Sequence, residues 1–200
     1  MTAAIVIGLL LGAVLFVARS LDRPRPPEFA PSPIAPEAVG DRLDGPRRYT
    51  IDATHEREWR YFDFSRGSRV DRPSALDWDL AFRRHRIIVN GGEGFAGSGG
   101  AIDLGEIDLD AVDSVPAVGY RGTRTHRDSL APALEDWYDY SFTSHILEAR
   151  PRVYAIRTAD GRYAKLEVVS YYCPGAEAGC MTFRYVYRRD GSRVFGSTGR

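Results

Sequence analysis

Three runs of alternating apolar residues near the C-terminus constrain the fold more than any other feature of the sequence. Residues 153–158 precede residues 163–172 across a short connection that contains Asp160 and Gly161. Asp-Gly is a strong hairpin signal because glycine adopts positive φ without a steric penalty. Residues 181–188 then follow across a loop that contains Pro and Gly. The pattern predicts three consecutive antiparallel strands, which form a β-meander.

Shorter strand-like runs precede the meander and make the predicted domain all-β. They cover residues 48–51, 59–64, 77–90, 101–104 and 137–142. Within residues 77–90 the alternating apolar positions change register midway, which predicts a bend or bulge in one long strand, with His85 as a strand residue. The glycine-rich residues 90–100 lack a following GK[ST] and predict a flexible surface loop rather than a phosphate-binding loop. The acidic residues 106–116 predict a loop or a short helix.

Two cysteines, Cys173 and Cys180, flank the last loop of the meander. Their spacing suits a disulfide across the mouth of a hairpin, which stabilises by roughly 2–3 kcal/mol in the loop-entropy picture. A metal site needs two further ligands, and no histidine lies in this stretch. Disulfides persist outside the cytoplasm. The cysteines therefore predict a disulfide and an extracytoplasmic domain.

The N-terminal segment is apolar, and residues 2–18 contain neither a charge nor a proline. As a helix they extend about 26 Å at 1.5 Å per residue, against a hydrocarbon core of about 30 Å. This predicts an uncleaved transmembrane helix over residues 1–20. A cleaved signal peptide is the alternative, although no basic residue precedes the run and no A-x-A site closes it. Ala4, Gly8 and Gly12 share one helix face, which predicts close packing against a helix of an integral membrane partner. The alternative is that glycine is simply common in membrane helices.

The orientation of this helix is predicted differently by two features. Arg19, Arg23 and Arg25 follow it, and the positive-inside rule would place the domain in the cytoplasm. The cysteines favour the other side, and long domains can translocate despite flanking charge. We therefore predict a single-pass inner-membrane protein with a periplasmic domain at residues 48–200. Residues 21–47 hold seven of the twelve prolines and predict an extended linker. It is either a passive spacer, which we favour, or a segment that docks Phe29 and Ile34 on a partner.

Composition and motifs argue against catalysis and against nucleic-acid binding. The 27 acidic and 27 basic residues cancel, without the clustered basic face that phosphate backbones require. No G-x-S-x-G or H-E-x-x-H motif is present. His126 and His145 lie in loop-like sequence on either side of the strand at residues 137–142. Such a pair can hold a haem iron from both sides, although two ordinary surface histidines are the alternative.

Three ordered groups of residues resemble the HmuY family of bacterial haem-binding proteins, over residues 49–188. They are YTIDATHEREWRYFDFSRG, then LDWDLAFRRHRIIVNGGEG with GSGGAI, and finally VYAIRTADGRYAKLEVVSYY with MTFRYVY. The resemblance implies an all-β, secreted or surface-attached, non-enzymatic protein. In haem-binding members, two histidines between the GGA strand and the late hairpin coordinate the iron. Only His126 and His145 fall within that interval here.

Two functions are consistent with these features. In the first, the chain is a periplasmic haem-binding module with His126 and His145 as axial ligands. In the second, it is an accessory subunit of an inner-membrane respiratory or photosynthetic electron-transfer complex. Its helix would pack through Ala4, Gly8 and Gly12, and its β-domain would cap the periplasmic side.

Overall fold

The computed structural model of the protein describes residues 2–21, 25–34, 46–125 and 128–196. One helix, α1 (Thr2–Leu21), precedes a domain built from short and long strands. The strands are β1 (Arg47–Asp52), β2 (Arg60–Asp63), β3 (Ser68–Val70), β4 (Leu80–Arg83), β5 (Arg86–Val89), β6 (Gly100–Asp103), β7 (Arg124–Thr125), β8 (Ser129–Leu130), β9 (Tyr138–Tyr140), β10 (Leu147–Ala149), β11 (Val153–Arg157), β12 (Tyr163–Cys173) and β13 (Glu177–Arg188). Two short 3-10 turns cover Leu109–Ala111 and Pro132–Leu134.

The strands form antiparallel sheets. The larger sheet has five strands in the order β1-β13-β12-β11-β6, and the second has four in the order β3-β2-β4-β5. Strands β9 and β10 pair as a separate hairpin, as do β7 and β8. The sequence-based prediction of an all-β antiparallel fold is confirmed.

The late meander is formed as the sequence predicted. Strand β12 pairs with β11 on one side and with β13 on the other. Gly161 has φ +84° in the turn between β11 and β12, a conformation that glycine adopts without strain. The Thr158 N–H donates to the Arg162 carbonyl at 2.9 Å and closes this turn. The long strands β12 and β13 are joined by a short loop, with Cys173 at the end of β12 and Cys180 near the start of β13.

Aromatic side chains hold the two large sheets together. Phe62 of β2 contacts Phe183 of β13 edge-on, with ring centroids 5.0 Å apart, and both rings are fully buried. Phe64 and Tyr185 extend this contact, with centroids 5.2 Å apart. Edge-to-face pairs of this kind contribute about 0.5–1.5 kcal/mol each beyond burial of their area. The many Phe and Tyr residues therefore form the core between the sheets.

Residues 77–90 do not form one long strand. The register change seen in the sequence is a reversal of the chain, because β4 and β5 pair antiparallel with Arg83 opposite Arg86. Arg84 has φ +53° and forms the turn together with His85. The prediction of a bend or bulge, with His85 inside a strand, was wrong because a two-residue turn can form without glycine or asparagine.

The glycine-rich residues 90–100 cross neighbouring backbone at very short range. A Cβ on Gly91 would lie 2.1 Å from the Gly99 carbonyl oxygen, and one on Gly99 would lie 2.4 Å from the Asn90 carbonyl oxygen. The Gly99 N–H donates to that Asn90 oxygen at 2.8 Å. Glycine is needed here because any larger residue would collide with backbone. Close backbone packing, rather than loop flexibility, accounts for this composition.

The predicted transmembrane helix is not supported by the structure. Within the described part of the chain, no helix combines the length and the apolar character needed to cross a membrane. Gly8 and Gly12 have open space around them, and the side chain of Ala4 lies outside the described residues.

Residues 25–34 of the proline-rich segment pack against the domain itself. The Phe29 N–H donates to the Tyr172 carbonyl at 2.9 Å, and the Ser32 N–H donates to the Thr50 carbonyl at 2.8 Å. The Arg48 guanidinium lies 4.8 Å from the centroid of the Phe29 ring. For this part of the chain the passive-spacer interpretation does not hold, because its hydrogen bonds are satisfied by β1 and β12. Residues 22–24 and 35–45 lie outside the described part.

Cys173 and Cys180 form the predicted disulfide, with a sequence separation of 7. It ties the end of β12 to β13.

Replacing both cysteines, in Cys173→Ala/Cys180→Ala, is expected to lower the free energy of unfolding by about 2.5 kcal/mol, because the short ring no longer restricts the unfolded chain. Urea denaturation of the full chain checks this. Reductant should destabilise the native protein by a similar amount and leave the double variant unchanged. Equal stabilities of the native protein and the double variant would contradict the prediction.

Candidate functional site

A cavity of about 700 Å³ opens beside the end of β12. The β4–β5 turn forms one wall, the β9–β10 hairpin forms another, and the disulfide loop and the N-terminal segment complete it. Its lining residues are Pro26, Glu56, Arg84, His85, Ser144, His145, Ile146, Leu147, Tyr171, Tyr172, Ala176 and Ala178. Two of the four histidines of the chain therefore line one cavity.

His145 lies in the connection between β9 and β10 and adopts φ +56°. Its backbone N–H donates to the Ser141 carbonyl at 2.8 Å, which closes the turn of the hairpin. The Tyr140 hydroxyl and the ring atom Nδ1 form a hydrogen bond. Because Nδ1 is engaged by Tyr140, Nε2 is the atom with which His145 would bind a metal ion.

The loop that carries His145 is fastened to the meander. The Leu147 N–H donates to the Tyr172 hydroxyl at 2.8 Å. Tyr172 and its neighbour Tyr171 are 6% and 3% exposed, so their rings form a fixed aromatic wall of the cavity. The position of His145 therefore depends on β12 as well as on its own hairpin.

His85 enters the same cavity from the β4–β5 turn. The Trp137 indole Nε1 donates to the His85 carbonyl at 2.8 Å. The His85 ring meets the Tyr138 ring edge-on, with centroids 5.8 Å apart. Partial burial and then the charges of Arg86 and Arg84 lower the pKa of His85, which favours the neutral imidazole that binds metals.

Sequence reasoning missed His85 as a site residue. The signal was present, because four consecutive polar residues, 83–86, separate two apolar runs and break the alternation of a single strand. A hairpin at this point projects its turn residues beyond the end of the sheet, where they can line a cavity.

Arg84 places a positive charge in the cavity wall. Its Nη1 donates to the Thr54 carbonyl at 3.0 Å and to the Ala178 carbonyl at 2.8 Å. These bonds tie the β4–β5 turn to the segment after β1 and to the disulfide loop. They hold a cation where a carboxylate of a bound molecule can pair with it.

The other predicted ligand, His126, lies outside the described residues, so its role stays a prediction. Two residues further along the chain, Asp128 accepts from Arg83 Nη2 at 2.8 Å and also pairs with Arg86. Asp128 and His85 both line a neighbouring cavity of about 380 Å³. His85 therefore lines both cavities.

The remaining histidine has a structural role. His55 Nδ1 accepts from the backbone N–H groups of Arg57 and Glu58, at 3.2 and 2.9 Å. It caps the turn after β1. In the part of the chain that the structure describes, no group of three or more His, Cys, Asp or Glu residues is arranged to hold a metal ion.

The model of the HmuY protein family matches residues 55–144. The domain is HmuY-like. The match covers β2 to β9 and ends one residue before His145. Comparison with curated proteins returned no match.

Solved structures share the HmuY-like fold over most of this chain. The apo HmuY analog of Tannerella forsythia has a TM-score of 0.59 and 18% identity, and the alignment covers 72% of this chain and 95% of that one. A Bacteroides vulgatus protein described as HmuY-like and heme binding has a TM-score of 0.59 and 19% identity, with 75% and 96% covered. A Bacteroides fragilis protein described as a lipoprotein has a TM-score of 0.58 and 21% identity, with 74% and 92% covered. At these identities the comparisons establish the fold of the HmuY-like domain.

Proposed function

We propose that this HmuY-like domain is a non-catalytic, extracytoplasmic haem-binding module that holds haem in the 700 Å³ cavity, with His145 as an axial ligand. The observation that carries the proposal is the hydrogen bond between Tyr140 and Nδ1 of His145. Histidines that bind metals commonly donate their second ring N–H to a neighbouring oxygen, which fixes the tautomer and the ring. Tyr140 supplies that oxygen and directs Nε2 to the metal.

The cavity has the other properties that haem requires. Its volume falls within the range of about 300–1,000 Å³ that is usual for sites of small molecules and cofactors. Tyr171 and Tyr172 give it aromatic walls, and Arg84 offers a cation for a propionate group. Phe142, at the tip of the adjacent hairpin, is 85% exposed and gives the hairpin an apolar surface that a flat ligand can cover.

The extracytoplasmic location rests on the disulfide and on the family. The Cys173–Cys180 bond persists in an oxidising compartment, and one structural relative is described as a lipoprotein. We therefore propose the cell envelope as the location. The accessory-subunit alternative required a membrane helix packing through Ala4, Gly8 and Gly12, and no observation on the described residues favours it.

Titration of the full chain with ferric haem tests this function. A saturable Soret shift with one haem per chain is expected, because the cavity provides at least one imidazole ligand within aromatic walls. Free imidazole serves as the reference for ligation without a cavity. A linear, non-saturating absorbance increase equal to that of haem in buffer would rule out the proposed function.

A further inference from the structure

The two described histidines of the cavity are 60 positions apart in sequence and come from different sheets. His85 belongs to the β4–β5 turn, and His145 belongs to the β9–β10 hairpin, yet both line the same 700 Å³ space. We propose that His85 is the second axial ligand of the haem, alongside His145, in place of the sequence-predicted His126. This inference rests on the proposed haem-binding function and names the ligand pair of that site.

Both imidazoles contact the same strand. Tyr138 meets the His85 ring at a centroid distance of 5.8 Å, and Tyr140 meets the His145 ring at 5.9 Å. Residues two apart on a strand point to the same face, since successive side chains alternate. Strand β9 (Tyr138–Tyr140) therefore presents one tyrosine to each histidine from a single face and gives the pair a common support.

The backbone of His85 is fixed although its side chain is exposed. The Trp137 indole donates to the His85 carbonyl at 2.8 Å, and the Arg84 N–H donates to the Ala53 carbonyl at 2.9 Å. Trp137 is 1% exposed and is itself immobilised in the core. Because its Cα is anchored and its ring faces solvent, His85 can rotate its side chain to bind an incoming haem without disturbing the fold.

The surroundings of His85 also match an anionic cofactor. Arg84 lines the same cavity, while Arg83 and Arg86 are paired with Asp128 on the other side of the turn. Asp128 holds Arg83 and Arg86 away from the large cavity. Arg84 remains in the cavity wall, where it can pair with a haem propionate. The turn therefore combines one imidazole and one cavity-facing guanidinium.

The test compares four variants of the full chain loaded with ferric haem: His85→Ala, His145→Ala, His126→Ala and His55→Ala. His55 lies outside the cavity and is the matched control. Absorption spectra and low-temperature electron paramagnetic resonance report the spin state of the iron, which follows its axial ligands. Far-ultraviolet circular dichroism confirms that each variant is folded.

The native protein and His126→Ala are expected to give low-spin, six-coordinate haem. His85→Ala should give high-spin, five-coordinate haem and weaken binding by about tenfold or more, since even indirect partners of metal ligands change affinity by about 10–100-fold. Added imidazole should restore the low-spin signal in His85→Ala by filling the vacated position.

Two results would overturn the inference, and they have different consequences for the proposed function. Low-spin haem in His85→Ala, together with its loss in His126→Ala, would assign the pair to His126 and His145 and leave the proposed function standing. The absence of saturable haem binding by the native protein would remove the function itself, and the inference with it.

Discussion

His145→Ala is expected to weaken ferric haem binding by about 100-fold or more and to change the Soret spectrum. The substitution removes the ring nitrogen that would bind iron, whereas the cavity walls formed by Tyr171 and Tyr172 remain. Loss of a direct ligand should exceed the roughly 10–100-fold effect that is usual for the hydrogen-bond partners of ligands. Equilibrium titration of the full chain, followed in the Soret band, measures the change.

Tyr140→Phe provides a graded comparison at the same site. It keeps the aromatic ring and removes only the hydroxyl that bonds Nδ1 of His145. Binding should therefore weaken by about tenfold, between the native protein and His145→Ala. The control His55→Ala should bind haem normally, because the side chain of His55 caps a turn and does not line the cavity. Normal affinity in His145→Ala would exclude His145 as a ligand.

Trp137→Ala is expected to lower the free energy of unfolding by about 4 kcal/mol, as large-to-small substitutions of buried aromatic residues do. Trp137 is 1% exposed and packs against Tyr138 and Tyr171, with ring centroids 4.8 and 5.9 Å away. The substitution leaves a void between the β9–β10 hairpin and β12, and it leaves the His85 carbonyl without its indole donor. Urea denaturation monitored by circular dichroism measures the loss.

The matched control is Trp59→Ala. Trp59 is half-buried and stacks on the Arg83 guanidinium, 4.5 Å from its ring centroid, at the surface of the smaller sheet. We expect this substitution to cost about 1 kcal/mol, which is the scale of a cation–π contact that is partly exposed. Equal losses from the two substitutions would show that Trp137 is not the main support of the cavity.

The sequence was sufficient for features whose signals are local. Asp160-Gly161 specified the turn between β11 and β12, because glycine alone takes the φ of +84° found there without strain. The disulfide followed from the spacing of Cys173 and Cys180 between two strands. The HmuY resemblance joined these pieces into one fold, and the family match and solved structures confirm it.

Features that depend on tertiary contacts were predicted less well. The β4–β5 turn uses Arg84 at φ +53°, so the sequence contains no glycine or asparagine to mark it. The glycines near Gly91 indicated a flexible loop, whereas the structure requires them for contacts between distant stretches of backbone. The apolar N-terminus predicted a membrane span, yet no described helix meets the requirements for one.

In the candidate site, too, local features could be predicted from the sequence and tertiary contacts could not. His145 was predicted as a ligand from its position in a loop, and the structure places it in the wall of a cavity. Its Tyr140 partner, and its proximity to His85, depend on how the β9–β10 hairpin packs beside the β4–β5 turn. No spacing in the sequence reports that packing, since the two histidines are 60 positions apart.

A nitrogen–proton correlation spectrum of the full chain, recorded with and without ferric haem, tests most directly whether haem binds in this cavity. Unpaired spin on the iron broadens nearby amide signals, and gallium(III) protoporphyrin provides the diamagnetic control. We predict that the signals of residues 84–85, 144–147 and 171–172, which surround the cavity, shift or broaden with ferric haem relative to the gallium complex. Signals of the Leu109–Ala111 turn, which packs in a separate apolar cluster, should persist. Broadening centred elsewhere, with the cavity signals unchanged, would contradict haem binding in this cavity.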